Sequence, residues 1–271
     1  MKVLILGDLH CRSVWKDIIA KEKIDSFDKI IFLGDYTCPR EVQLDDPTDA
    51  CGFLYDVLDF KDQNPDKVVL LRGNHDCQAL GYYWARCWPQ DHVKVQEYWQ
   101  TNDVKNWFLK NTQWIYRIPY TDIVCSHAGI SEKFLDNVCK YFKDQDGWNF
   151  NIYDQNELIN HINDIPPCEL FAFTPCKLSD DSGESATQPC TWIRPYTLLQ
   201  YGIEGITQVV GHTPVKHICN LKDEILKDRE KYGFEKGEEI VNNYCNVWCC
   251  DNLANSEYLI IEDGKFKPYR L

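Results

Sequence analysis

The sequence predicts an α/β protein with a parallel sheet, and three apolar stretches carry this prediction. They are Val3–His10, Lys29–Tyr36 and Val68–Asp76, and in each an apolar run leads into glycine and then a polar side chain. Short apolar runs that end in this way are typical of buried strands. Helical spacing of apolar residues in Ser13–Lys23, and again after Pro47, places a helix between successive strands. The resulting β-α-β-α-β order predicts parallel strands joined by crossover helices.

The ends of these three strands predict a ligand site. In open α/β sheets, ligands bind at the carboxyl ends of the strands. The polar side chains delivered there are Asp8, His10, Asp35, Asn74 and His75. Asp8 and His10 are two residues apart, so both side chains can point the same way from an extended tail. Asp35 follows the middle strand, where its carboxylate could bridge two cations.

Two later stretches repeat the pattern of a strand followed by a polar residue. Trp114–Tyr120 and Ile123–Ser126 predict a hairpin whose second strand runs into His127, and Gln208–Val210 runs into Gly211-His212. A lone histidine at such a place is more often a hydrogen-bonded structural residue. Together with the carboxylates and the amide, however, the imidazoles suit manganese, iron or zinc better than a thiolate site would.

The remainder of the chain predicts one domain over residues 1–271 with a cap or insertion at about 144–194. Residues 144–194 are the least regular part of the sequence, and long loops in a compact chain are usually functional. We therefore expect this segment to form one wall of a substrate cleft. Ser131 opens a predicted helix, and Asp263-Gly264 predicts a hairpin turn between two closing strands. The aromatic-rich stretch 77–110 favours helices that cover the core over a surface that stacks bases.

Composition excludes some function classes. The net charge of −13 disfavours bulk binding to nucleic-acid backbones. No run of about 18 apolar residues is present, so we predict no membrane contact through a spanning helix. The 14 cysteines form no Cys-x-x-Cys pair, and the N-terminus lacks a signal-peptide pattern, which favours reduced thiols in the cytoplasm.

The ordered set Gly-Asp-Leu-His, Gly-Asp-Tyr, Gly-Asn-His-Asp, Ser-His-Ala-Gly and Gly-His-Thr-Pro resembles the calcineurin-like metallophosphoesterases. The resemblance spans residues 3 to about 260. It is greatest for the serine/threonine-phosphatase branch, with its bacterial and phage members and the symmetrical diadenosine tetraphosphate hydrolases. It implies a four-layer α-β-β-α sandwich of two mixed sheets flanked by helices, with a two-metal site at one edge.

The resemblance also implies roles for individual residues. The implied ligands of the first metal are Asp8, His10 and Asp35, and those of the second are Asp35, Asn74, His127 and His212. His75 is the implied general acid. Trp192-x-Arg194 implies that Arg194 clamps the phosphate. In broader phosphodiesterase branches a second histidine follows the last motif, whereas Pro214 stands there in this chain, which favours the phosphatase-like branch.

One departure from the branch affects the second motif, which usually continues as Gly-Asp-x-Val-Asp-Arg-Gly. Here residues 34–40 read Gly-Asp-Tyr-Thr-Cys-Pro-Arg, so Cys38 replaces the aspartate and Arg40 falls one position late. Either Arg40 reaches the phosphate through a shifted loop, or Arg194 and Arg72 do. With Cys38 in place of the usual carboxylate, Asp76 is the candidate to orient the acid histidine.

The function that we predict is hydrolysis of phosphomonoesters, including phosphoserine and phosphothreonine in proteins. Two cations, with manganese favoured over iron or zinc, can share a hydroxide that attacks phosphorus in line. His75 then protonates the leaving oxygen. The substrate is a phosphorylated protein or small molecule. The alternatives are dinucleoside polyphosphate hydrolysis and a metal-binding scaffold without catalysis, with a nuclease less favoured because of the charge.

Overall fold

The computed structural model describes residues 1–40, 46–81, 89–101, 103–145, 147, 149–167, 183–227 and 245–271. It has mixed α/β structure with two mixed sheets flanked by helices, as predicted. The chain forms two compact units. The first unit comprises Met1–Gln113, Pro214–Ile218 and Cys250–Leu271, and the second comprises Trp114–Thr213 and Cys219–Cys249. The single domain over 1–271 stays a prediction.

The strands are β1 (Lys2–Leu6), β2 (Lys29–Phe32), β3 (Val68–Leu71), β4 (Thr112–Gln113), β5 (Ile115–Arg117), β6 (Ile123–Ser126), β7 (Thr207–Val210), β8 (Cys219–Asn220), β9 (Asn246–Cys249), β10 (Glu257–Glu262) and β11 (Lys265–Arg270). The helices are α1 (Val14–Glu22), α2 (Ala50–Gln63), α3 (Asn74–Ala79), α4 (Pro89–Thr101), α5 (Val104–Asn111), α6 (Glu132–Lys143), α7 (Gln155–His161), α8 (Pro195–Tyr201) and α9 (Leu221–Lys227).

The sheet of the first unit has the strand order β11-β10-β1-β2-β3-β4. Strands β1 to β4 run parallel, which confirms the parallel sheet predicted from the alternation of strands and helices. β10 joins β1 in antiparallel orientation and pairs with β11 through a tight turn. In that turn Asp263 and Gly264 both have positive φ, as a two-residue hairpin of this kind requires.

The core of the first unit lies between one face of this sheet and its helices. Alternate residues of the strands point to that face, among them Leu4, Leu6, Ile30 and Phe32, and all four are buried. Trp15 of α1 packs edge-on against Phe32. The aromatic stretch 77–110 also contributes to the core, because Trp99 and Phe108 are fully buried in it. Residues 82–88 of that stretch lie outside the described part of the chain.

The sheet of the second unit has the strand order β5-β6-β7-β9-β8. β5 and β6 form the predicted antiparallel hairpin, with Ile115 opposite Ser126. β6, β7 and β9 run parallel, and β8 is antiparallel to β9. The predicted helix after Ser131 is α6, and its first turn is capped because Ser131 Oγ accepts a hydrogen bond from the Phe134 N–H.

The irregular segment 144–194 contains α7 and a short 3₁₀ helix at Ile162–Asp164. Residues 168–182 of the predicted cap lie outside the described part, so its role as a cleft wall stays a prediction. The helices within the described residues are too short or too polar to span a bilayer. No disulfide bond joins the eleven cysteines among those residues.

Candidate metal centre

The end of β1 is held by a close backbone contact. A Cβ placed on Gly7 would lie 2.2 Å from the carbonyl oxygen of Cys250 and 3.3 Å from the Cα of Asp251. Only glycine permits this approach. The chain therefore leaves β1 directly against the Cys250-Asp251 segment, and Asp8, the next residue, is fully buried.

The ends of β2 and β3 also meet through glycines. Gly34 has φ of +109°, and a Cβ there would lie 2.6 Å from the Gly73 nitrogen. A Cβ on Gly73 would lie 2.0 Å from Asp35 Oδ1, and the His75 N–H donates to the same oxygen over 2.9 Å. The glycines that mark the sequence pattern thus allow the two strand ends to touch.

The loop after β1 does not continue as the extended tail that we predicted from the spacing of Asp8 and His10. His10 and Cys11 have φ of 46° and 61°, and Asp35 has φ of 56°. Left-handed backbone costs a non-glycine residue roughly 1–2 kcal/mol. It is held here because the His10 and Cys11 N–H groups donate to the carbonyls of Asp35 and Tyr36. The prediction of an extended tail was therefore wrong, although the two side chains do point to one place.

Asp8, His10 and Asp35 form a buried group of potential metal ligands. All three are fully buried, and one ligand atom from each lies within 4.8 Å of the others. His10 Nε2 is 3.8 Å from Asp8 Oδ2 and 3.7 Å from Asp35 Oδ2. His10 Nδ1 lies 2.6 Å from the Cys38 carbonyl oxygen, which fits an Nδ1–H donor. That bond leaves the Nε2 lone pair facing two carboxylates, an arrangement that fits a bound cation.

The electrostatics of the group also favour a cation. Burial lowers the pKa of His10, but the side chains of Asp8, Cys38 and Asp35 outweigh it and raise the pKa to about 10. Burial and the charge of Asp35 raise the pKa of Asp76 to about 7. Burial and the charge of Asp8 raise the pKa of Asp251 to about 7 as well. A site that holds protons this strongly has an excess of negative charge for a metal ion to neutralise.

These pKa shifts predict how stability depends on pH and metal. Asp76 and Asp251 have folded pKa values of about 7 against an ordinary 3.8, and the pKa of His10 is also raised. The native state therefore binds more protons than the unfolded state above about pH 4, so the free energy of unfolding falls as pH rises. We expect melting temperatures in EDTA to fall from about pH 5 to about pH 8, and added Mn²⁺ to remove most of this fall. Identical pH profiles with and without metal would contradict this.

Asn74 and His75 lie in the first turn of α3. Successive side chains on a helix diverge by about 100°, so these two side chains point in different directions. The His75 side chain is 8% exposed, with Nε2 3.9 Å from Asp35 Oδ2. Its ring meets that of His10 edge-on at 5.4 Å between centroids. His75 is thus beside the group of potential metal ligands.

Asp76 has contacts that the sequence did not predict. Its carboxylate accepts hydrogen bonds from the N–H groups of Asp35, Tyr36 and Gly73 at 2.8–2.9 Å, and the residue is fully buried. It ties the loop after β2 to the start of α3. The orientation of His75 by Asp76 stays a prediction.

Arg72 and Arg40 have different surroundings in the first unit. Arg72 is buried and donates through Nε to Thr112 Oγ1 and through Nη2 to the Leu109 and Thr112 carbonyls, so it ties β3 to β4. These bonds favour a structural role over the contact with phosphate that we considered. Arg40 is one-third exposed, and its Nη1 lies 3.8 Å from Asp251 Oδ2.

Three predicted site residues come together within the second unit. The buried rings of His127 and His212 are 5.1 Å apart between centroids, and the Gly211 N–H donates to the His127 carbonyl. His212 has φ of 64°, which turns it out of the line of β7. Trp192 lies 5.1 Å from the His212 ring and 5.5 Å from the Arg194 guanidinium. Arg194 Nη1 also donates to Thr213 Oγ1 over 3.1 Å.

Asp251 was not among the residues predicted from the sequence. This residue follows β9 after the apolar run Val247–Cys250, so it repeats the pattern of a strand followed by a polar residue that identified the candidate ligands. The candidate ligands after β1, β2, β3 and β7 were recognised by a glycine between the strand and the polar side chain, and Cys250 stands at that position before Asp251.

The chain matches the model of the calcineurin-like phosphoesterase family over residues 1–216. It therefore belongs to the calcineurin-like phosphoesterases, and it is a metal-dependent phosphoester hydrolase. The family uses divalent metal ions, and the buried Asp8, His10 and Asp35 group could bind one. No curated protein matches the chain closely enough to count as a relative.

Solved structures confirm the fold. The cold-active protein-tyrosine phosphatase of a psychrophilic Shewanella is 19% identical with a TM-score of 0.56, covering 98% of this chain and 77% of the other. A protein serine/threonine phosphatase from Saccharomyces cerevisiae is 10% identical with a TM-score of 0.54, covering 100% and 80%. At these identities the likeness concerns the fold alone.

Proposed function

We propose that this chain hydrolyses phosphomonoesters with manganese as the preferred metal. The observation that carries the proposal is the buried convergence of Asp8, His10 and Asp35, with His10 Nε2 facing both carboxylates. Imidazole nitrogen and carboxylate oxygen together suit Mn²⁺, Fe or Zn²⁺. When bound, a pair of such ions supplies an activated water and neutralises the oxygens of the phosphoryl group.

The proposed ligands form two sets, one for each metal ion. Asp8, His10 and Asp35 would hold the first ion, with Asp35 shared with a second. For that second ion we propose Asn74 from the start of α3 together with His127 and His212. In support, Asn74 is buried, and the two histidine rings are buried side by side. The ligand set as a whole rests on the family resemblance and is tested by counting metal ions per chain in single variants.

His75 is the proposed general acid. Its backbone N–H donates a hydrogen bond to Asp35 Oδ1, which fixes the start of α3 relative to the proposed metal ligands. Its side chain is slightly exposed, unlike those of His10 and Asp35, which are fully buried. A protonated imidazole so placed can donate its Nε2 proton to the leaving oxygen of a substrate.

Replacement of His75 tests this role. We expect His75→Gln to retain its metal and to lose about 10²–10⁴-fold in turnover of phosphoserine peptides. Its turnover of p-nitrophenyl phosphate should fall far less, because p-nitrophenolate leaves without a proton. Steady-state kinetics and elemental analysis of the same samples measure both quantities. Equal losses on the two substrates, or loss of a metal ion, would assign His75 a different role.

Two arginines are proposed to bind the phosphate oxygens. Arg194 is preorganised because its guanidinium lies over Trp192 and donates to Thr213. Arg40 is partly exposed and lies near the proposed metal ligands of the first unit, where burial lowers its pKa but Asp8, Asp35 and Asp251 outweigh this and raise it. Guanidinium groups suit phosphate because they donate two parallel hydrogen bonds to it.

A substrate panel tests the function itself. Pro214 at the position of a second histidine supports the phosphatase-like interpretation, and two similar folds are named as a protein-tyrosine phosphatase and a protein serine/threonine phosphatase. The panel comprises phosphopeptides, p-nitrophenyl phosphate, mononucleotides and dinucleoside polyphosphates, each with and without Mn²⁺. We expect metal-dependent release of phosphate from monoesters. Preference for dinucleoside polyphosphates, or bound metal without turnover, would overturn the proposal in favour of an anhydride hydrolase or a scaffold.

A further inference from the structure

Asp251 is a buried carboxylate that has no part in the proposed reaction. It is 5% exposed, and its Oδ2 is buried without a hydrogen-bond partner among the described residues. A buried carboxylate in this state is costly unless a positive charge compensates for it. We therefore expect a positive charge to compensate for the Asp251 carboxylate, and the groups that face it show which one does.

The backbone around Asp251 has a defined position. Cys250 and Asp251 pack against the end of β1, where any side chain on Gly7 would collide with them. The Val215 N–H donates to the Asp251 carbonyl over 3.1 Å, and the Asn252 N–H donates to the Cys250 carbonyl over 2.8 Å. The segment that carries the Asp251 side chain is thus held by backbone hydrogen bonds and packs against the end of β1, next to Asp8.

Arg40 is the cation that faces this carboxylate. Arg40 Nη1 lies 3.8 Å from Asp251 Oδ2, which is an ion-pair distance and longer than a hydrogen bond. The Asp251 side chain is 6% exposed and that of Arg40 is 33% exposed, so the pair spans the boundary between the buried ligands and solvent. A guanidinium has five N–H donors, so a nitrogen held near Asp251 leaves others for a bound anion.

We propose that Asp251 is a positioning residue that holds the Arg40 guanidinium beside the metal ligands so that it can bind the phosphate of the substrate. An arginine side chain loses rotamer entropy when it is fixed in one position. An ion pair formed before substrate arrives reduces the part of this cost that falls on binding. The inference rests on the proposed function, since it assigns Arg40 to the phosphate subsite of that reaction.

The test is a double-mutant cycle of Arg40→Ala and Asp251→Asn, because Asn keeps the shape of Asp and removes its charge. The readouts are binding of inorganic phosphate to Mn²⁺-loaded protein by calorimetry, KM and kcat for p-nitrophenyl phosphate, metal content and melting temperature. We expect Arg40→Ala to weaken phosphate binding and raise KM by roughly 10–100-fold. Asp251→Asn should weaken phosphate binding and raise KM by roughly 3–10-fold, with metal content unchanged. The double variant should bind phosphate no more weakly than Arg40→Ala does.

Other outcomes separate the competing roles of Asp251. If Asp251→Asn lowers metal content and weakens binding equally in the Arg40→Ala background, Asp251 is a metal ligand and the proposal is wrong. If it lowers only the melting temperature, Asp251 has a structural role and the proposal is again wrong. Asp251→Glu, which keeps the charge, is the second variant and should lose less phosphate affinity than Asp251→Asn.

A matched control and a separate readout complete the design. Arg270→Ala removes an exposed arginine of β11 that donates to the Asn255 carbonyl, and we expect it to leave phosphate binding unchanged. Phosphate binding does not depend on turnover. An enzyme that hydrolyses no monoester would therefore refute the proposed function, while an additive cycle in phosphate binding would refute the role of Asp251.

Discussion

Asp35→Asn is expected to lower kcat/KM by at least about 10³-fold, which corresponds to roughly 4 kcal/mol of transition-state stabilisation. The reason is that one buried side chain serves several groups at once. Asp35 Oδ2 lies 3.7 Å from His10 Nε2 and 3.9 Å from His75 Nε2, while Oδ1 accepts the His75 N–H. The asparagine side chain would supply one neutral oxygen in place of two charged ones. Its NH2 group would occupy the position of the second oxygen, where an acceptor is needed.

The comparison with Asp8→Asn makes the prediction specific. If Asp35 is shared by two ions, its loss should reduce metal content by more than the loss of Asp8 does, and turnover should decline in parallel. Elemental analysis and steady-state kinetics on both variants measure this. Asp56→Asn is the control, since that carboxylate is exposed and pairs with Lys16. The loss of a single ion to the same extent in Asp8→Asn and Asp35→Asn would contradict the shared role.

Asp76→Ala is expected to destabilise the fold by roughly 3–5 kcal/mol. The substitution leaves the N–H groups of Asp35, Tyr36 and Gly73 without their acceptor in a fully buried place, and each unmet donor costs about 1–3 kcal/mol. Relief of the repulsion between Asp76 and Asp35, which contributes to the raised pKa of Asp76, offsets part of this. Urea unfolding in EDTA measures the effect without a contribution from metal binding.

The exposed carboxylate of Asp136 provides the control for this variant. Asp136→Asn should change the free energy of unfolding by no more than about 0.5 kcal/mol, as is usual for surface substitutions. Asp76→Ala should also bind metal more weakly, because the loop that carries Asp35 is no longer tied to α3. An Asp76→Ala protein as stable as Asp136→Asn would show that the three N–H groups find other acceptors.

The candidate metal ligands of the first unit could be placed together from the sequence because they obey a local rule. Buried parallel strands are recognisable as short apolar runs, and the residues just after each strand must lie at the same edge of the sheet. Asp8, His10 and Asp35 are found there as one buried group. The hairpin before His127 and the strand before His212 were predicted in the same way, and the two rings do come together.

The backbone conformations at these ends were not predictable. An extended tail was predicted from the spacing of Asp8 and His10, whereas His10 adopts a left-handed conformation, as does Asp35 after β2. Local propensity disfavours left-handed histidine and aspartate. Here the hydrogen bonds between the loops after β1 and β2, which join residues 25 positions apart, outweigh that preference.

The sequence alone determined the α/β class, the parallel order of the first strands and the side chains delivered to their ends, because these depend on apolar patterning within short stretches. Only the tertiary structure decided the partners of those side chains. Arg72 binds Thr112, Asp76 binds the loop after β2, and Arg40 faces Asp251 more than 200 positions away. Such pairings depend on which charged groups the packed backbone brings together in a place of low dielectric, and no local pattern encodes that.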